Sequence, residues 1–258
     1  MKKYVFMMMC ALCALTMSAQ RVGGGGSYSN EPRKVTFGVR AGLNVANVDE
    51  NFWDEKWEGI NKSKSLLGFK VGAICDIPVW QDLSMQPGLY VSMKGGKVDN
   101  MHGYYSNDVE RKRSQTLRPI YLDVPILAVY HIRLANGLDL QPAFGPYFSF
   151  GVGGKRTYTN NDPIEPTEEK FDIFGGRDND DDYGYYYDYY DAKMFRRFDC
   201  GLTFGFGASW HQFYAGLNYD LGLYNTYNEY FRENIGEYSN RKFHCKNRVL
   251  TISVGYNF

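Results

Sequence analysis

Apolar and polar positions alternate with period two in eight separate stretches of the chain, as they do in strands whose two faces meet different surroundings. The last stretch is the cleanest. In Arg248 to Phe258, Leu250, Ile252, Val254, Tyr256 and Phe258 share one parity, and Val249, Thr251, Ser253, Gly255 and Asn257 share the other. The first sets Phe37, Val39, Ala41, Leu43 and Val45 against Thr36, Gly38, Arg40, Gly42 and Asn44. Similar patterns cover about 66–78, 83–94, 115–133, 138–152, 199–208 and 213–222. The stretch 115–133 is less clean, because Leu127, Val129 and His131 fall on the parity that is small or polar elsewhere.

The bulky parity carries Leu, Ile, Val and Phe on every strand and no charge in the strand cores. The other parity is rich in Gly, Ser, Thr and Asn, and it holds Arg40, Lys70, Asp76, Lys94, Asp123, Asp199 and Asp220. Connections alternate between long (46–65, 96–114, 155–193, 224–247) and short (79–82, 134–137, 210–211). This spacing predicts an all-β fold: an eight-stranded antiparallel up-and-down transmembrane β-barrel with short periplasmic turns and four long extracellular loops. A soluble barrel would turn its apolar face inward and show charge outward. Here the charge-free face is expected to meet lipid, and closure leaves no unpaired edge for hydrocarbon to reject.

An eight-stranded interior is just wide enough for side chains to fill it. Arg40, Lys70 and Lys94 are therefore expected to form an ionic network with Asp123, Asp199 and Asp220 that plugs the lumen. Trp80, Trp210, Phe213, Tyr256 and Phe258 fall near the short-turn ends and are expected to form a periplasmic aromatic girdle. The terminal Phe258 is the expected signal through which the C-terminal strand engages the barrel-assembly machinery.

The amino terminus adds an address. Two lysines precede an apolar run from Tyr4 to about Met17, followed by Ser18 and Ala19. This predicts a secretory signal peptide over 1–19, cut at about Ala19/Gln20. Residues 20–33, with four consecutive glycines and a serine, are expected to be a flexible periplasmic linker, and 34–258 the barrel domain. No later stretch has the ~18 apolar residues of a spanning helix. Charges balance at 29 basic and 29 acidic residues, so no nucleic-acid partner is implied. Beyond the signal peptide stand Cys75, Cys200 and Cys245. Their odd number and wide spacing argue against a disulfide framework or a zinc site. Cys75 and Cys200 are expected on the lipid face and Cys245 in a loop.

Several segments resemble a known family. V-T-F-G-V-R-A-G-L-N-V-A-N-V, L-S-M-Q-P-G-L-Y-V-S-M-K-G-G-K, Y-L-D-V-P-I-L-A-V-Y-H-I, L-Q-P-A-F-G-P-Y-F-S-F-G and K-N-R-V-L-T-I-S-V-G-Y-N-F resemble, in order, strands of the PorT-type outer-membrane β-barrel family. The resemblance spans about Val35 to Phe258. It implies an outer-membrane barrel of a Gram-negative bacterium, and its namesake implies an accessory role in protein secretion. It brings no catalytic motif. The acidic, tyrosine-rich insertion of about 155–193 departs from it.

Candidate chemistry is sparse. Asp178, Asp180 and Asp182 alternate as in a calcium loop, but the glycine comes one position late and no glutamate closes the loop. Tyr183 to Tyr190 reads either as a recognition surface or as loop packing over the mouth. His102 and His244 lie with Asp99, Asp108 and Ser106 on long loops without a shared spacing. No enzyme, metal or cofactor is expected. The expected protein is a monomeric, structural or surface-interaction barrel among outer-membrane lipids, with an extracellular protein or glycan partner. A secretion accessory and a small solute channel are the alternatives.

Overall fold

The computed structural model describes residues 34–50, 63–102, 112–134, 137–161, 166–175, 194–228 and 244–258. Thr36–Phe258 forms one compact unit. Its strands are β1 (Thr36–Glu50), β2 (Ser63–Lys64), β3 (Leu66–Pro78), β4 (Leu83–Met93), β5 (Gly96–His102), β6 (Lys112–Tyr130), β7 (Ile132–Arg133), β8 (Leu138–Asn161), β9 (Thr167–Asp172), β10 (Phe198–Trp210), β11 (Phe213–Gly222) and β12 (Cys245–Asn257).

Eight of them close a ring. Antiparallel pairing runs β1–β3–β4–β6–β8–β10–β11–β12 and returns from β12 to β1. The closing pair is continuous, with every residue from Gly38 to Glu50 opposite a partner between Asn257 and Cys245. Side chains alternate as the sequence pattern requires. Leu43 is 64% exposed and Leu67 74%, whereas Asn44 and Asp199 are fully buried. On β6 the outward apolar run goes from Ile120 to Tyr130. At about 3.3 Å per residue and a tilt of about 40°, that run is about 25 Å tall, the height of the apolar band on a membrane-spanning barrel.

The wall continues past this band, where the sequence pattern suggests loops. β5 falls within the expected loop 96–114 and pairs with β6. β8 runs on to Asn161 and β9 folds back on it, inside the expected insertion 155–193. The reason is chemical. Above the band the outward positions are Lys97, Arg118, Lys155 and Thr157, so apolar–polar contrast disappears while backbone pairing persists. The same change of pattern places Cys245 in a strand and not in the expected loop. It begins β12 and is buried, 2% exposed, among Phe195, Tyr227 and Met194. Neither Cys75 nor Cys200 is disulfide-bonded, and both occupy outward positions on β3 and β10.

The lumen glycines make room for large inward groups. A Cβ at Gly207 would stand 2.5 Å from the Tyr214 ring, and one at Gly216 would collide with the Tyr214 hydroxyl. The β10–β11 turn has two residues, and His211 adopts φ 56° there, which suits a mirror-image hairpin turn. Prolines interrupt ladders elsewhere. β4–β6 pairing lapses between Pro87 and Tyr90, and β6–β8 pairing between Pro125 and Ala128.

The candidate site is a closed lumen

The inward-facing charges meet in the middle of the ring. Lys70 Nζ lies 2.9 Å from Asp220 Oδ2 and 4.0 Å from Asp123 Oδ2. Lys94 Nζ lies 3.1 Å from Asp123 Oδ1 and 3.6 Å from Asp199 Oδ2. The result is a chain, Asp220–Lys70–Asp123–Lys94–Asp199, in which three carboxylates share two ammonium groups. Thr203 donates to Asp220, Asn247 donates to Asp199, and Lys94 donates to Ser149. The rings of Tyr147 and Tyr121 flank the Lys94 ammonium at 4.4 and 5.1 Å, contacts that attract a cation. Desolvating five charges is costly, and the mutual pairing, with these hydrogen bonds and ring contacts, offsets it.

Arg40 stands apart from the chain. Its Nη2 donates to Asn257 Oδ1 at 2.7 Å, and its guanidinium lies 3.9 Å from the Tyr214 ring centroid. It therefore ties β1 to the end of β12 near the turn rim. Between Arg40 and Lys70 lies a cavity of about 30 Å³, lined also by Gln86, Tyr90, Gln141 and Tyr214. That is room for one or two water molecules and not for a solute.

A second cluster closes the turn end. His131 Nδ1 lies 2.7 Å from Asp139 Oδ2, and its Nε2 lies 2.8 Å from Ser84 Oγ and 3.4 Å from Asp76 Oδ2. Gln86 donates to Asp76, and Gln141 bridges Asp139 and Ser209. The order Ser84–His131–Asp139 is that of a hydrolase relay. Ser84 is only 1% exposed, however, and Asp76 competes for the same ring nitrogen. The cluster is a packed lock joining β3, β4, β8 and β10 to the end of β6. At the opposite end the mouth is capped by an apolar cluster that includes Val48, Leu117, Ile173, Phe174, Phe195 and Tyr227. Arg156, 3% exposed, donates to Met194 Sδ beside it.

Sequence reasoning singled out the six lumen charges but missed the inward tyrosines 90, 121, 147 and 214, and it missed the His131 lock. Parity was the available signal for each, since all fall on the polar face.

At the turn rim, Trp80 is 74% exposed, Trp210 57%, Phe213 64% and Phe258 71%. Phe213 packs edge-on against Tyr256, and Tyr256 against Phe258. The Phe258 amide donates to Phe37 O, which ties the terminus to β1. His244 lies 3.5 Å from Asp49. Asp178, Asp180, Asp182, Ser106, Asp108 and the Tyr183 to Tyr190 run lie outside the described residues, as do the signal segment and the linker. The side chains of Asp99 and His102 lie outside them too. Among the described residues no group of His, Cys, Asp or Glu is arranged to hold a metal ion.

A closed eight-strand ring, apolar outside and filled by polar side chains inside, is built as a membrane-spanning β-barrel. The chain belongs to the outer membrane protein beta-barrel domain family, whose model matches residues 19–228. It is thus an outer-membrane β-barrel protein. Solved structures similar to it include the attachment invasion locus protein Ail, a Neisserial surface protein and the outer membrane protein OprG. Ail of Yersinia pestis, crystallised with the heparin analogue sucrose octasulfate, is 12% identical, with 88% of this chain and 100% of that chain covered and a TM-score of 0.36. Neisserial surface protein A is 11% identical, with 88% and 100% covered and a TM-score of 0.37. OprG of Pseudomonas aeruginosa is 11% identical, with 86% and 95% covered and a TM-score of 0.40. No curated protein matches the chain.

Proposed function

We propose that the protein is a non-enzymatic, non-conducting barrel that spans the outer membrane and works through its extracellular loop rim. In this reading the turn rim, with Trp80, Trp210, Phe213, Tyr256 and Phe258, sits at the periplasmic interface as an aromatic girdle. The observation that carries it is the closed lumen. Five paired, buried charges fill its middle, the adjoining cavity holds about 30 Å³, and an apolar cluster caps the loop mouth. A solute channel needs a continuous polar path, and these features argue against one.

Recording in planar bilayers tests this directly. The purified protein is expected to insert without a steady conductance, and a large constant single-channel current would overturn the closed-lumen reading. The acidic, tyrosine-rich sequence of 176–191 is the proposed surface for a protein or glycan partner. Deleting it leaves β9 and Phe174 in place and is expected to abolish surface binding. The secretion role implied by the PorT resemblance differs in outcome, because a null strain would lose export of other proteins.

A further inference from the structure

The outward face changes character abruptly at the loop end of the apolar band. On β6 the outward series Leu122, Ile120 is followed by Arg118. On β12 it is Leu250 followed by Arg248 and Lys246, and on β8 Val152 gives way to Lys155. Lys97 lies just above Met93, whereas Arg197 turns to the mouth side, where it donates to Gly151 O and its guanidinium lies 5.3 Å from the Phe174 ring. The five outward cations lie on β5, β6, β8 and β12, just beyond the apolar band. Arg118 and Lys155 stand directly opposite each other in the β6–β8 ladder, a like-charge pair in which Asp172 answers only the Lys155 side.

Acidic partners answer only part of this charge. Asp172 pairs with Lys155, and Asp49 pairs with Arg248 at 3.0 Å. Glu168 pairs with Lys170 farther out on β9, beside Glu169. Arg118 and Lys246 make no ion pair among the described residues. Among the described residues the turn rim has fewer outward cations: Arg133, 3.4 Å from Asp82, and Lys34 before β1.

We infer that the five cations beyond the band bind the phosphate groups of outer-leaflet lipid headgroups. The cations point outward, directly above side chains that meet acyl chains, which is where headgroups lie; a soluble polyanion would be met higher, on the loop tips. Arginine suits the role because its fork engages phosphate oxygens in pairs. The inference rests on the proposed orientation, with the loop rim outside.

The test uses the mature barrel in neutral detergent, titrated with lipid A, with dephosphorylated lipid A and with inorganic phosphate, and bound lipid is counted by native mass spectrometry. Lipid A is expected to bind and its dephosphorylated form to bind far more weakly. At about fivefold per cation, Arg118→Ser with Lys246→Ser is expected to weaken binding about 25-fold. Arg133→Ser, on the other rim, is expected to change nothing, and heat-modifiable migration checks that each variant folds. Equal binding of the dephosphorylated lipid, unchanged binding by the double variant, or competition by inorganic phosphate at lipid concentrations would overturn the inference. Labelling a Glu168→Cys variant on intact cells reports orientation separately. An inaccessible thiol would overturn the orientation, and with it the outer-leaflet assignment, even where binding in detergent persists.

Discussion

Lys94→Met is the sharpest perturbation of the lumen. Lys94 has no exposed side-chain surface and holds two carboxylates, Asp123 at 3.1 Å and Asp199 at 3.6 Å. At an effective dielectric of about 20, each contact is worth about 5 kcal/mol of attraction. Desolvation of the ammonium offsets about half of the sum, and removing one side of a buried ion pair costs about 3–5 kcal/mol. Methionine keeps most of the volume, so the loss is electrostatic. Three carboxylates would then face the single ammonium of Lys70. Asp123→Asn is the informative partner. Lys70 keeps Asp220 at 2.9 Å, Lys94 keeps Asp199 and Ser149, and the excess negative charge disappears. Its expected cost is about 1 kcal/mol, that of a modest hydrogen-bond change. Both are measured by reversible urea unfolding in micelles, followed by tryptophan fluorescence. A Lys94→Met variant within about 1 kcal/mol of the parent, or an Asp123→Asn variant as costly as Lys94→Met, would refute the charge-count argument.

His131→Leu is expected to cost about 2–3 kcal/mol in the same assay, because it strands Ser84 and sets Asp76 and Asp139 together without the imidazole. Gly216→Val should cost about 1–3 kcal/mol through overlap with Tyr214, and adding Tyr214→Ala should recover part of that loss. Removing Phe258, or replacing it with Glu, should lower the amount of heat-modifiable, protease-resistant barrel in the outer membrane while passage across the inner membrane continues. Normal assembly of that variant would refute the terminal signal.

The ring was legible in the sequence because lipid and lumen impose opposite demands on alternate residues. Leu67 and Lys70, or Leu43 and Asn44, could not exchange faces. Beyond the band that contrast fades, so β5, β9 and the start of β12 at Cys245 read as loop although their backbones pair. The ionic chain was legible as a set of residues but not as a connection. Nothing in the sequence says that Lys70 meets Asp220 while Arg40 turns to Asn257, since register and strand tilt decide it. The His131 lock was hidden for a different reason. Ser84, His131 and Asp139 sit on separate strands with no telling spacing, and Leu127 and Val129 made that face look apolar.

The seam between β1 and β12 has a kinetic consequence. Gly38 pairs with Asn257, so the contact that completes the ring joins nearly the two ends of the barrel. Closing so long a loop costs about 5 kcal/mol of chain entropy, well above the cost of any neighbouring hairpin. The ladder that repays it runs without a break from Gly38 to Glu50, whereas the proline-interrupted ladders lie within locally closed hairpins or their neighbours. The chain thus places an unbroken ladder, as continuous as that between β8 and β10, where formation is slowest. Once formed, that seam must separate along its whole length before the first and last strands of the ring come apart.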